Sequence, residues 1–391
     1  MTGPVQRRRQ CVRKIPCLAS LVLAAVLAAS AGCDTARVFR YRAAEISDFE
    51  RFPSRGMSAA DHPSPLPPDD AFTLPGRLLV PGSGWVDPAR FFQGSSTSAV
   101  VVLRAGRLLH EWYAPGYAAE RATQVFSITK SITSLLVGCA LRDGYLAGVR
   151  QPVTDHVPEL ARGGFRAVTL EHLLDMRSGM SYRESDNPFG RHARYYYGTD
   201  LLPRLLHLRV KEPPGTRFEY RSGDTQLLGL VLSRALAPES ITRYAQRVLW
   251  HPLGAEGPAW WTVDRPGGLE KTFCCLAMRP RDLARVGAML AAGGTWQGEE
   301  IIPAAWVEAS VGPLLRGDAM VMDDFGYHHQ WWSCRDLPGG YLGSGHLGQY
   351  LIVVPDARLV VVRLGEKGGR TLQRDTLRLT QALREEILTT R

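Results

Sequence analysis

Ser127 and Lys130 stand three residues apart in the string F-S-I-T-K-S, residues 126–131, and that spacing can do chemistry. On a helix both side chains lie on one face. The residues behind them, Ile132, Leu135, Leu136, Val137 and Cys139, form an apolar stripe that would bury this helix. A lysine amine placed there is partly desolvated, which lowers its pKa and lets the neutral form take a proton from the neighbouring hydroxyl. Ser127 would sit near the helix N-terminus, where the peptide dipoles favour developing negative charge. The chemistry in view is that of a lysine base beside a serine hydroxyl. Alone the pair is a weak signal, because 22 serines and five lysines generate roughly 0.3 such spacings by chance.

Two further segments strengthen it. P-P-G-T-R-F-E-Y-R-S-G-D, residues 213–224, places Tyr220 and Ser222 at a turn entering an apolar helix (Leu227, Leu228, Leu230, Val231). Side chains at such a turn can point into a cleft. G-S-G-H-L-G-Q, residues 343–349, runs straight into a strand, and its glycines would expose backbone N–H groups to a ligand, as an oxyanion hole requires.

These segments need elements to hold them. Ala99–Leu103, a turn at Ala105-Gly106 and Leu108–Trp112 read as a β-hairpin, and so do Tyr350–Val354, a turn at Pro355-Asp356 and Leu359–Val362. Between them, apolar residues at helical spacing recur around 127–141, 169–176, 224–236 and 281–292. Strands at both ends around a helical middle predict an α/β (α+β) architecture: one antiparallel sheet built from both termini, flanked by helices, with a mostly helical region inserted.

Read together, residues 98–365 resemble the serine β-lactamase and penicillin-binding superfamily, above all its class C-like branch of esterases and 6-aminohexanoate-dimer hydrolases. The resemblance includes T-L-E-H-L-L-D-M-R-S-G-M (169–180), R-P-R-D-L-A-R-V-G-A-M-L (279–290), Gln330-Trp331-Trp332 and the glycine-rich strand. It implies a β-lactamase/transpeptidase-like fold, Ser127 as acyl-forming nucleophile, Lys130 as its activating partner and Tyr220 as the hydroxyl that shuttles protons to and from the leaving group. The oxyanion hole would use the backbone N–H of Ser127 and a second from the glycine-rich strand. That donor is His346 if Gly343-Ser344-Gly345 fills the place of the family's K-T-G strand, and Gln349 if His346-Leu347-Gly348 does. The first register is preferred, because Gly348-Gln349 then matches the G-Q that precedes the strand in the nylon-oligomer branch. Either way no lysine occupies the strand, which argues against efficient β-lactam hydrolysis. The nylon-oligomer branch keeps a substrate-contacting tyrosine near 182–185, for which this chain offers Tyr182 or Ser185; Ser222 and Gly345 are the other candidates for the substrate site. No metal or organic cofactor is implied, and the partner is a small amide or ester. The rival readings are a D,D-peptidase-like activity on cell-wall peptides and a catalytically silent binding protein of the same fold.

Several motifs are decoys. Gly343 to Gly348 fits G-x-G-x-x-G, but a dinucleotide fold needs a helix next and a strand is expected here. Ser185-Asp186-Asn187 matches S-D-N, yet Pro188-Phe189-Gly190 follows instead of an apolar helix. Asn187 is the chain's sole asparagine, so an E-x-x-L-N deacylation motif cannot occur, and Tyr220 is the better second-motif residue. No G-x-S-x-G elbow, C-x-x-C pair or H-E-x-x-H string is present, and His328-His329 reads as a strand pair. Trp331 and Trp332 read as strand packing in which alternation can turn one each way. Tyr195-Tyr196-Tyr197 reads as a loop or helix edge over the cleft.

Charge locates the remaining function. The 391 residues carry 47 basic against 38 acidic side chains, a formal +9. Residues 1–32 hold Arg7, Arg8, Arg9, Arg13 and Lys14 with no acid, then an apolar run from Leu18 to Ala29 and Ser30-Ala31-Gly32-Cys33. This reads as a secretory signal of the lipoprotein type (1–32), with Cys33 as the lipidated first mature residue and Ser30 as the departure from the usual lipobox. The alternative is ordinary signal-peptidase cleavage near Ala31. The arginine run lacks the apolar residues expected after a twin-arginine signal, so the export route stays open. Removing 1–32 leaves 42 basic and 38 acidic residues, a net +4, which disfavours a nucleic-acid-binding module. Proline density predicts an extended tether over 33–70 and a hydrolase domain over 71–391, on the periplasmic or cell-envelope side of a membrane. Besides Cys33, the cysteines Cys139, Cys274, Cys275 and Cys334 are too few for a disulfide framework, though export permits a bridge.

Overall fold

The apolar runs from the two ends of the chain meet in one antiparallel sheet. A computed structural model describes residues 32–94, 96–185, 187–322 and 324–390. In chain order it begins with α1 (Gly32–Tyr41), β1 (Ser54–Met57), the small hairpin β2 (Leu78–Val80) and β3 (Gly84–Val86), and α2 (Pro88–Gln93). β4 (Thr97–Arg104), β5 (Arg107–Tyr113) and β6 (Thr123–Gln124) lead into α3 (Ile128–Arg142). The helical region then holds α4 (Leu170–Leu174), α5 (Arg191–Tyr197), α6 (Leu201–Leu206), α7 (Ser222–Ala235) and α8 (Ile241–Ala245). β7 (Ala259–Thr262), β8 (Leu276–Met278), α9 (Pro280–Ala291), the two-residue strands β9 (Thr295–Trp296) and β10 (Glu299–Glu300), and α10 (Ala304–Arg316) follow. The chain closes with β11 (Phe325–His328), β12 (Trp331–Cys334), β13 (Tyr341–Gly345), β14 (Gln349–Val354), β15 (Leu359–Gly365) and α11 (Arg370–Thr389).

The main sheet has seven strands in the order β11-β12-β13-β14-β15-β4-β5. The β15–β4 pairing, Val361 opposite Val102, joins the two ends of the chain. β4, β14 and β15 are covered on both faces, which is why they read as unbroken apolar runs and not as alternations. Val101, Leu103, Leu351 and Val362 face the core shared with α3 and α9. Val100, Val102, Ile352 and Val361 face the core under α11, where Leu377, Leu383 and Ile387 meet them. Each such fully buried side chain contributes about 1.5–3 kcal/mol of burial free energy. α9 approaches the sheet closely at Gly287, where a Cβ would lie 2.5 Å from Val360 Cγ1. A second antiparallel sheet, β1-β7-β8-β6, holds the segment leading into α3.

The leader expected over 1–32 falls outside the described residues except for Gly32, and of Cys33 only the helical backbone is described. The tether expected over 33–70 is corrected. Ile46, Phe49, Phe52, Met57 and Leu66 are buried in the domain, and β1 pairs with β7 from Ser54↔Thr262 to Met57↔Ala259. Asp48 is fully buried and accepts a 2.7 Å hydrogen bond from the Tyr196 hydroxyl. Even the proline-rich stretch docks: the Leu108 N–H donates to the Pro67 carbonyl at 2.7 Å and the Asp69 N–H to the Leu108 carbonyl at 2.8 Å. Proline density reported an extended backbone correctly, but an extended backbone suits a sheet edge as well as a spacer. The folded unit therefore begins before residue 71. Among the described residues, no helix is long and apolar enough to cross a membrane.

Candidate active site

The chain turns sharply out of β6 to present Ser127. The Val125 N–H donates to the Leu276 carbonyl at 2.9 Å, which pins the approach. Phe126 then takes φ of +47°, a left-handed conformation that costs an aromatic residue about 1–3 kcal/mol. Ser127 follows as the N-cap of α3, half-buried and open to a cleft of about 920 Å³.

Lys130 sits one turn on, with 1% of its surface exposed. Its Nζ lies 2.9 Å from Ser127 Oγ and donates to the Phe273 carbonyl at 2.6 Å. Burial lowers the Lys130 pKa to about 8, against a smaller opposing pull from the Glu184 carboxylate. About a tenth of the amine is therefore neutral at pH 7, against a negligible share for an exposed lysine. Tyr220 completes the cluster. Its ring lies 4.9 Å from Lys130 Nζ, and the Ser127 side chain is near enough to favour the ionised phenol. Burial raises its pKa, and the influence of Ser127 offsets only part of that rise, so the phenol keeps its proton.

The glycine-rich strand closes the other wall. Gly343 passes α3 so closely that a Cβ would lie 3.3 Å from Ile128 Cγ2, and a Cβ on Gly345 would lie 2.3 Å from the Val125 carbonyl oxygen. Ser344, Gly345 and His346 line the cleft with Ser127. Gln349 instead begins β14 opposite Gly345, and its side-chain amide donates to the carbonyls of His346 at 3.0 Å and Gly365 at 2.6 Å. The strand against α3 is thus Gly343-Ser344-Gly345, and the residue that follows it is His346.

Known proteins share this arrangement of sequence and fold. The β-lactamase family model matches residues 89–384. The chain belongs to the β-lactamase family. It is 30% identical over 341 residues to a 6-aminohexanoate-dimer hydrolase of Paenarthrobacter ureafaciens, covering 81% of this chain and 82% of that protein. A Bacillus anthracis structure provisionally assigned as a 6-aminohexanoate-dimer hydrolase superposes with a TM-score of 0.78 at 19% identity, over 88% of this chain and 93% of that one. A family VIII carboxylesterase superposes at 0.55 and 17% identity, over 76% and 94%. The family is one of serine hydrolases and is made of hydrolytic enzymes.

Of the four residues proposed from sequence for the substrate site, Ser185, Ser222 and Gly345 line the cleft of this β-lactamase-family chain. Tyr182 does not. It is buried behind the wall, 5.1 Å from the Tyr195 ring, with its hydroxyl 3.2 Å from His192 Nδ1. Trp331 is buried and Trp332 faces the cleft, so alternation does turn one each way. Tyr196 and Tyr197 line the cleft from helix α5.

Sequence reasoning missed Glu184. Its Oε1 accepts the Ser222 N–H at 2.6 Å and its Oε2 lies 2.6 Å from His192 Nδ1. Burial works against its charge, but His192, Lys130 and Ser222 together hold its pKa at about 2. A single carboxylate in a loop has no spacing to announce it. The Phe273 carbonyl that seats Lys130 is backbone and has no side-chain signature at all. Cys274, which also lines the cleft, is joined to Cys275 by a disulfide, while Cys139 and Cys334 are free and buried.

Asp175, His328 and His329 bring their ligand atoms within 4.8 Å of one another. The two imidazoles stack 4.1 Å apart and 19° from parallel, so their in-plane lone pairs run side by side and do not converge as metal ligation requires.

Proposed function

We propose that the protein cleaves amide or ester bonds through an acyl-enzyme on Ser127. The observation that carries this reading is Lys130 Nζ at 2.9 Å from Ser127 Oγ, in surroundings that lower the amine pKa to about 8. The neutral amine takes the hydroxyl proton as Oγ attacks the carbonyl carbon. The oxyanion is received by the backbone N–H groups of Ser127 and His346. Tyr220, protonated and beside Ser127, passes a proton to the leaving amine or alkoxide, and water then releases the acyl group by the reverse relay. With no lysine on β13 to grip a carboxylate, linear amides and esters are favoured over β-lactams. The name of the Paenarthrobacter relative, a 6-aminohexanoate-dimer hydrolase, supports an amide substrate.

The experiment is labelling with a fluorophosphonate and turnover of p-nitrophenyl esters and linear amides, with Ser127→Ala as control. Wild type should label and turn over, and Ser127→Ala should lose both by at least about a thousandfold. Equal behaviour of the two proteins removes the reading.

We infer further that residues 1–32 direct export and that Cys33 carries a lipid anchor on the cell-envelope side of the membrane. The basic start, the apolar run and A-S-A-G-C support this. Mass spectrometry of the mature N-terminus tests it: an acylated Cys33 is expected, and a free Cys33 or an earlier start defeats it.

A further inference from the structure

We propose that the mouth of the Ser127 cleft is an acyl-chain site, so that the preferred substrates carry a medium or long apolar chain on the scissile carbonyl. This rests on the hydrolase reading above and deepens it.

One wall of the site is a segment outside the family's matched residues 89–384. Val38, Ala43 and Ala44 line the cleft, and α1 is fixed there by Tyr41, whose ring packs edge-on against Phe52 at 5.1 Å and stacks at 6.4 Å on Tyr197. Next in the chain to the lining residues Val38 and Pro188, Phe39 meets Phe189 with ring centroids 5.7 Å apart. Phe39 is 66% exposed, Phe189 48% and Met322 42%, and Met322 lines the cleft. Six large apolar side chains are exposed among the described residues; of these, Met322 lines the cleft, and Phe39 and Phe189 touch each other next in the chain to the lining residues Val38 and Pro188. Apolar surface concentrated at the rim of a reactive cleft marks a place where something apolar sits. Inward from the rim, Phe126, Tyr197, Phe273 and Trp332 continue an aromatic lining toward Ser127. The carboxylates that share this lining, Glu184 and Asp324, are paired with His192 and Arg374, so they do not demand a cationic substrate group. An alkyl chain leaving water along this wall gains free energy with each buried methylene, about 0.8 kcal/mol when burial is complete.

The test is a p-nitrophenyl ester series from acetate through butyrate to octanoate, below micelle-forming concentrations, with wild type, Phe39→Ser, Phe189→Ser and the double variant. Wild type should show kcat/KM for octanoate at least about tenfold above acetate. The double variant should lose most of that ratio, through a fall in octanoate turnover. Both side chains are exposed, so unchanged thermal unfolding is expected and verifies that the fold persists. The control is Leu79→Ser with Trp85→Ser, the exposed cross-strand pair of the β2–β3 hairpin, which should leave the ratio alone. A flat series in wild type, or an undiminished ratio in the double variant, overturns the proposal. An undiminished ratio with lost binding to phosphatidylglycerol vesicles would assign the rim to a membrane surface and overturn it equally. Failure to turn over any ester, or activity that survives Ser127→Ala, would instead strike the hydrolase reading beneath it.

Discussion

Lys130 Nζ is held between two oxygens, Ser127 Oγ at 2.9 Å and the Phe273 carbonyl at 2.6 Å, with the side chain almost wholly out of solvent. The carbonyl fixes where the amine sits, and burial sets how readily it gives up its proton. Both must hold for a lysine to serve as a base beside a serine, since an exposed amine would stay charged well above neutral pH.

The first prediction is a pH profile. With the Lys130 pKa lowered to about 8, kcat/KM rises through about pH 8 as the neutral amine forms and levels off above it. The raised Tyr220 pKa keeps the phenol protonated, so no falling limb appears below about pH 10. An ester-hydrolysis profile flat between about pH 6 and 9 would contradict the role of Lys130.

Glu184→Gln removes a charge that pulls the Lys130 pKa upward. The rising limb should therefore move toward acid, by a fraction of a pH unit up to about one. The variant also weakens the grip on the Ser222 N–H, so plateau activity should fall by about tenfold. A merely structural Glu184 would lower the plateau and leave the midpoint where it was.

Gly345→Ala would put a Cβ 2.3 Å from the Val125 carbonyl oxygen, two residues before Ser127. Backbone must move there, and the distance between Ser127 and His346 changes with it. The expected result is a loss of about a hundredfold or more in kcat, with a stability cost of about 1–3 kcal/mol. Gly343→Ala meets its nearest atoms at 3.3 Å and should be far milder. Equal activity in the two variants would remove the argument.

Asp224 is fully buried, with one oxygen held by the Ser178 hydroxyl, and burial raises its pKa to about 7. Its folded-state pKa lies above its unfolded value, so its stabilising contribution is complete below about pH 4 and is lost as pH rises through about 7. Asp224→Asn should remove that loss, gaining on the order of 2 kcal/mol over wild type between about pH 5 and 8 in urea unfolding. Parallel stability curves would show that Asp224 does not titrate in this window.

The parts of this site that were legible in the sequence are those created by neighbours along the chain. Ser127 and Lys130 share a helix face because three residues make most of a turn, whatever surrounds them. The hairpins β4–β5 and β14–β15 announce themselves because each is two apolar runs and a short turn. The glycines at 343 and 345 mark a backbone that something must approach, and α3 with the Val125 carbonyl is what approaches it.

Other features depend on partners that no local pattern names. Glu184 matters because loop closure brings it to Ser222, 38 residues away, and to His192 on another element. The segment after Cys33 looked like a spacer because proline reports backbone conformation and not the surface that backbone lies against. Its signal was the recurrence of Ile46, Phe49, Phe52 and Met57, which only a waiting edge at β7 turns into structure. Sequence by itself determined the spacing of Ser127 and Lys130 on one helix face, the two hairpins of the main sheet and the family, because covalent spacing and helix or strand periodicity act over a few residues. Tertiary structure alone decided which carbonyl seats the lysine, which carboxylate braces the turn and which segment walls the cleft. Those are contacts between distant parts of the chain, and burial chooses them only when the whole core closes.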